Sequence, residues 1–224
     1  MKIRHLEFSV VLVANDHNPT ILNPDFLALR DIVPAGWGWK LVGPTITTPP
    51  FATVAYDSGV TIIIEPNNLQ VSDNSGKAEP TSSKAIEIAR TYVEVLPHVR
   101  YSAVGINFRS VAEQAEADAF LKNRFLKSGP WDSESYKLQG FGLRLAYPLD
   151  RGRLVLSLDS AIVAERSEGQ TQQTHGVMVY ANFHRDCQGY PTDRQLIEHL
   201  AKADSDWTVY KNTLSNLLGI DDTP

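Results

Sequence analysis

The chain of 224 residues is 42% hydrophobic and 21% charged. These values are ordinary for a globular protein and argue against a disordered chain, a fibre or a membrane protein. Twenty-six acidic residues against 21 basic ones give a formal net charge of −5. This balance disfavours nucleic-acid binding, because such proteins usually gather Lys and Arg to displace the counterions around phosphates. Cys187 is the only cysteine, so no intramolecular disulfide can form, and we expect a cytoplasmic protein.

The first segment is predicted to be a half-buried strand. Leu6, Phe8, Val10 and Leu12 recur at every second position, which is the period of a strand with one buried face. A basic start before an apolar run is also typical of a secretory signal, but Glu7 interrupts this run. We therefore expect a structural strand here rather than a cleaved leader.

A short helix, a β-hairpin and a second helix are predicted to follow. Asn23 can cap free backbone amides, and the fixed φ of Pro24 suits the first position of a helix. The runs "FATVAY" and "VTIIIE" flank a three-residue turn that ends in Gly59, which predicts a hairpin. The run "NLQVSD", after a turn at residues 66–68, predicts a third strand. Apolar residues at helical spacing then predict a helix at about residues 83–96.

The second half of the chain is predicted to begin with a strand that contains Gly105 and continues into a helix. Ser110 and Glu113 have the spacing of a capping box, so we expect that helix at about residues 110–126. Three segments with alternating apolar residues then predict strands, and a polar loop at residues 166–176 separates the last two.

The final helix is predicted from its capping residues and its apolar stripe. Thr192 and Gln195 have capping-box spacing, and Gly219 suits the position after a helix end. Apolar residues at spacings of three and four connect these ends. Asp204 and Ser205 favour a break that would divide the segment into two helices.

The order of these elements predicts an α+β fold built from two similar halves, residues 1–97 and 98–224, packed into one compact unit. Each half is predicted to have the order β-α-βββ-α, with an antiparallel sheet and a packed helix, as expected for an internal duplication. This order resembles that of TATA-box-binding-like and helix-grip folds. The resemblance concerns the order of elements alone and implies no function.

No catalytic residue, metal site or cofactor is predicted. Walker-type glycine loops, H-E-x-x-H, G-x-S-x-G and EF-hand patterns are absent from the sequence. A single Gly105 inside a strand does not make a dinucleotide fingerprint, which needs several glycines in the turn after a strand. His184 and Cys187 have metal-ligand spacing, but a structural zinc site needs four ligands and no second pair exists.

Five residues are weak candidates for binding. Trp37 and Trp39 lie on the same side of any extended backbone, where exposed aromatic rings would anchor a partner and buried ones would belong to the core. Asp16 and His17 follow a strand, a position typical of functional loops, although turn formation explains the same residues. His184 lies near the end of the last predicted strand.

We expect a non-enzymatic binding or assembly subunit that recognises a protein partner or itself. The alternative is a small-ligand protein or enzyme with a pocket between the sheet and the C-terminal helix, in which Asp16, His17 and His184 would face one cleft. A third hypothesis, nucleic-acid binding on a sheet face, would require Arg and Lys gathered on that face. No membrane partner is expected, because no apolar run approaches the length of a membrane span.

Overall fold

The protein is an α+β protein with one antiparallel sheet. The computed structural model describes residues 1–77, 79–131, 133, 135–167 and 170–219, and within these ranges there are nine strands and five α-helices. The strands are β1 (Ile3–Asn15), β2 (Ile46–Thr48), β3 (Phe51–Ala55), β4 (Val60–Glu65), β5 (Asn68–Asp73), β6 (Arg100–Glu113), β7 (Leu143–Leu149), β8 (Gly152–Ser167) and β9 (Gln170–Asp186). The helices are α1 (Pro24–Leu29), α2 (Ala85–Val95), α3 (Ala117–Phe125), α4 (Asp193–Leu200) and α5 (Ala203–Leu218).

The sheet has the strand order β2-β3-β4-β5-β1-β6-β9-β8-β7, and every neighbouring pair is antiparallel. The two long strands β1 and β6 therefore lie at its centre, paired from Ile3 and Ala112 to Asn15 and Arg100. The predicted first strand and the predicted hairpin, which is β3 and β4, are confirmed. Both have the alternating or β-branched residues that suit a pleated surface.

One face of the sheet packs against the helices and forms a continuous core. Phe8 on β1 stacks on Phe108 of β6 with ring centroids 5.3 Å apart, and Phe108 stacks on Tyr210 of α5 at 5.2 Å. Phe183 on β9 meets Phe108 edge to face, and all four rings are buried. Because burial of one large apolar side chain contributes about 1.5–3 kcal/mol, this cluster ties α5 firmly to the central strands.

Two helix boundaries follow the sequence signals. The Asn23 side chain accepts a hydrogen bond from the Phe26 amide at 2.9 Å, with Pro24 in the first turn, so the predicted start of α1 is confirmed. α5 ends at Gly219, whose φ of 65° is the left-handed conformation that glycine adopts most readily. Both signals act between residues only a few positions apart in the sequence.

The helix predicted to begin at Ser110 is wrong. β6 continues to Glu113, and α3 begins only at Ala117, without a side-chain cap. Ser110 is buried, and its hydroxyl oxygen lies 2.8 Å from both the Tyr210 hydroxyl and Nδ1 of His5. The hydroxyl is thus engaged in the core, and backbone pairing with β1 and β9 on both sides holds this segment extended.

The predicted start of the final helix is confirmed, although its capping bond is absent, and the predicted break differs in position. α4 begins directly after Thr192, but the Thr192 side chain makes no capping bond, and the Gln195 side chain bonds to the backbone N–H and C=O of Gln188. The helix is divided at Ala201 and Lys202, before the predicted position.

Two further predictions about strands are corrected. The polar loop predicted at residues 166–176 is mostly strand, since β8 extends to Ser167 and β9 begins at Gln170; the two residues between them lie outside the described ones. The first half contains the additional short strand β2, so its order is β-α-ββββ-α. Among the described residues no helix combines the length and the apolarity that a membrane crossing demands.

Candidate binding surface

The second face of the sheet, which we call the open face, carries the side chains that alternate with the core residues. The contacts of α2, α3, α4 and α5 with the strands, and the buried residues of α1, all belong to the other side. On the open face, by contrast, Val11, Val13 and Asn182 are half-buried and Tyr180 is 40% exposed. Residues at the centre of this face are Ser9, Val11, Asn107, Tyr180, Asn182 and His184.

A hydrogen-bond network crosses the centre of the open face. The antiparallel register places Ser9, Asn107 and Asn182 in one row across β1, β6 and β9. The side-chain oxygen of Asn107, Oδ1, accepts hydrogen bonds from the Tyr180 hydroxyl at 3.0 Å and from Asn182 Nδ2 at 2.5 Å. Asn107 Nδ2 donates to Ser9 Oγ at 3.4 Å. Asn107 is only 3% exposed, so its neighbours hold it rigidly and satisfy its polar atoms.

Glycine at position 105 allows this network to lie flat against the sheet. A Cβ atom at Gly105 would stand 3.0 Å from Asn182 Nδ2, a contact tighter than side chains normally make. Gly105 lies inside β6, as the sequence predicted, and it has no role in a phosphate loop. Its effect is to leave Asn182 room to reach Asn107 across the strand.

The open face is close to electrically neutral. Arg109 on β6 pairs with Glu7 on β1 at 3.3 Å. Open-face positions of the outer strands also hold two acidic residues, Glu65 and Asp159, and two basic ones, Arg144 and Arg153. Burial is the main cause that raises the pKa of Tyr180, aided by the Glu7 carboxylate, so its hydroxyl remains a neutral hydrogen-bond donor at physiological pH.

The two tryptophans lie on the helical side of the sheet, away from the network. Trp37 and Trp39 are both half-buried, with ring centroids 4.7 Å apart, and Trp39 packs on Tyr56 at 5.6 Å. Lys84 Nζ lies 5.1 Å from the centroid of the Trp37 ring, within the range of a cation–π contact. Leu41, about half exposed, follows this cluster along the chain.

Asp16 and His17 have different surroundings although they are adjacent in sequence. His17 is buried, with Nδ1 3.3 Å from the Tyr92 hydroxyl and Nε2 3.3 Å from the Leu12 carbonyl oxygen. Burial lowers the pKa of His17, and the Leu12 hydrogen bond partly opposes this, so the ring is neutral at pH 7. Asp16 is exposed with a φ of 76° and lines an open cleft of about 400 Å³ where β1 ends.

His184 lies on the open face at some distance from that cleft. Its Nε2 is 3.0 Å from the Asp186 carboxylate, and it lines a separate hollow at the turn between β7 and β8. The structure therefore does not bring Asp16, His17 and His184 to one cleft. The space between the sheet and α5 is occupied by stacked rings, including Trp207 at 5.3 Å from Phe108.

The network residues were missed by sequence reasoning, although one signal pointed to them. In "AVGINFRS" the small or polar Gly105, Asn107 and Arg109 alternate with apolar residues, which assigns them to the face opposite the core. Nothing in the sequence pairs Asn107 with Ser9 or Asn182. Among the described residues no group of three or more His, Cys, Asp and Glu side chains is placed to hold a metal ion.

Comparison of the sequence with protein-family models and with curated proteins identifies no relative.

Proposed function

We propose that this protein is a non-enzymatic assembly subunit that binds a second copy of itself through the open face of its sheet. The observation that carries the proposal is a sheet face without a helix layer in the described residues, with a rigid polar network at its centre. Interfaces favour ordered tyrosines and satisfied hydrogen bonds of this kind, surrounded by partly apolar area.

The size of the open face fits a stable dimer. Nine strands at a spacing of about 4.8 Å span about 38 Å, and paired lengths of about six residues at about 3.3 Å each span about 20 Å. The face therefore offers on the order of 760 Å², close to the ~800 Å² per partner of a standard protein interface.

The charge of the open face supports a protein partner over a polyanion. Arg109 at the centre of the face is paired with Glu7 at 3.3 Å. The formal net charge of −5 belongs to the whole chain, and repulsion between two copies is largely screened beyond about 8 Å at physiological ionic strength. A nucleic acid would require an excess of cations here.

An internal duplication would account for the shape of this surface. β1 and β6 are neighbours at the centre of the sheet, and each is followed by a helix, a run of antiparallel strands and a second helical segment. We infer that the halves 1–97 and 98–224 are related by an approximate twofold axis between β1 and β6, as in TATA-box-binding-like folds. The polar row from Ser9 to Asn107 crosses that axis.

Light scattering tests the proposal directly. At about 100 μM chain we expect a mass of twice the 24.9 kDa of the monomer. Val11→Lys places a charge at the centre of the open face and is expected to give monomers, because burial of an unpaired ammonium group is costly. Val11 is half-buried, so the folded monomer can accommodate the change; circular dichroism verifies this.

A matched control places the same charge on the opposite side. Val209 on α5 is 44% exposed, and Val209→Lys is expected to leave the dimer intact. A wild-type protein that stays monomeric at about 1 mM, or a dimer lost in Val209→Lys but retained in Val11→Lys, contradicts the proposal.

A further inference from the structure

We propose that the hollow beside the turn between β7 and β8 is a binding site for a phosphate-type oxyanion, either free phosphate or a small phosphate monoester. The hollow has a volume of about 570 Å³ and is lined by Arg151, Gly152, Arg153, His184 and Asp186. The hollow lies where the turn between β7 and β8 meets the open face, and it shares Arg153 and His184 with that face.

The local fold brings the side chains that line this hollow together. Arg153 on β8 lies directly opposite His184 on β9 in the antiparallel register. A Cβ atom at position 152 would stand 1.9 Å from the His184 carbonyl oxygen, so only glycine permits this close approach of the two strands. The Asp186 amide donates to the Arg151 carbonyl at 2.8 Å and fixes the turn.

Arg151 occupies a backbone conformation that is unusual for its residue type. Its φ of 56° lies in the left-handed region, where glycine or asparagine is normally preferred. A non-glycine residue in this region costs on the order of 1 kcal/mol, which is retained only where the surroundings or a function favour it. Here Arg151 is one of the two residues of the turn between β7 and β8, and this turn places it among the residues that line the hollow.

The positive charge of the hollow is only partly neutralised within the protein. The Asp186 carboxylate already bonds to His184 Nε2 at 3.0 Å. Arg151 makes a long 3.4 Å contact with the uncharged Gln195 side chain. Arg153 has neither an ion-pair nor a hydrogen-bond partner among the described residues.

A tetrahedral oxyanion matches the donors that remain. Guanidinium groups present several N–H donors in a planar fork, and they bind phosphate oxygens in pairs. Arg151 in the turn and Arg153, two residues later on β8, can thus bind different oxygens of one anion. A carboxylate ligand would use only part of this donor set.

An amide NMR titration at constant ionic strength, with chloride as the background anion, tests the site. Inorganic phosphate and glycerol phosphate are added in separate arms to wild type and to Arg153→Gln. We expect saturable shifts around Gly152 and His184 with at least one of the two anions, and binding about tenfold weaker in Arg153→Gln. Binding of glycerol phosphate only would indicate a site for phosphate monoesters, and binding of both anions would indicate a site for the phosphate group itself. Either result supports the site.

Arg144→Gln is the matched control. Arg144 is an exposed arginine on β7 that also belongs to the open face but lies outside the hollow. We expect its binding to equal that of wild type. The proposal is overturned if neither anion gives saturable shifts, or if Arg144→Gln weakens binding as much as Arg153→Gln, since that result would indicate unspecific charge attraction. Repeating the titration on wild-type protein, diluted until light scattering shows monomers, separates anion binding from self-association.

Discussion

The buried ion pair between β9 and α5 should be the most sensitive point of the core. Arg185 and Asp206 form two hydrogen bonds of 2.7 and 2.6 Å, and their side chains are 5% and 4% exposed. Burial raises the pKa of Asp206, and the bonds from Arg185 oppose that shift. The guanidinium therefore depends on one carboxylate for its neutralisation.

Replacement of Asp206 by Asn leaves a buried guanidinium without a counter-charge. Breaking a buried pair in this way typically costs about 3–5 kcal/mol. For a chain of this length, about 2–4 °C of melting temperature accompanies each kcal/mol, so we expect Tm to fall by roughly 6–20 °C. The double variant Arg185→Met/Asp206→Leu removes both charges and should recover most of the loss, because apolar residues of similar volume replace such pairs at little cost.

Urea unfolding at neutral pH, followed by tryptophan fluorescence, measures both variants. Trp207 is adjacent to Asp206 and lies in the core, so its emission reports unfolding of this region. The reasoning is refuted if Asp206→Asn costs less than about 1 kcal/mol, or if the double variant is no more stable than the single one.

Three further predictions concern cysteine reactivity, acid stability and close packing. Burial, with a contribution from Asp186, raises the pKa of Cys187 to about 11. At pH 8 only about one thiol in a thousand is therefore ionised, and alkylation by iodoacetamide, followed by mass spectrometry, should be at least ~100-fold slower than for an exposed cysteine. Comparable alkylation rates would contradict this burial. Burial also lowers the pKa values of His5 and His17 below 6.5. On acidification the unfolded chain therefore takes up these protons first, and the stability, which is full above about pH 6.5, falls as the pH decreases through and below that value. His17→Gln should reduce this dependence in denaturant titrations at several pH values, and an unchanged slope of stability against pH would count against the prediction. Gly152→Ala should destabilise the fold by about 1–3 kcal/mol, because its Cβ would collide with the backbone of β9. Gly36→Ala should be nearly neutral, since no atom lies within 4 Å of the added Cβ. Equal thermal stabilities of the two variants would show that β8 and β9 can separate.

The sequence by itself determined those elements whose signals are local. The alternation of β1, the β3–β4 hairpin, the Asn23 cap of α1 and the end of α5 at Gly219 all appear where the residues predicted them. For the hairpin turn, the Asn23 cap and the Gly219 end, a dihedral preference or a hydrogen bond within a few residues decides the conformation. The alternation of β1 shows in the sequence because one face of that strand is buried.

The tertiary structure decided what depends on pairing between distant segments. Ser110 and Glu113 have a capping-box spacing, yet strands on both sides hold them extended, since two ladders of hydrogen bonds outweigh one cap. The central network of the open face has the same origin. Ser9 and Asn107 are 98 residues apart, and only the register of β1 against β6 brings their side chains within hydrogen-bond distance.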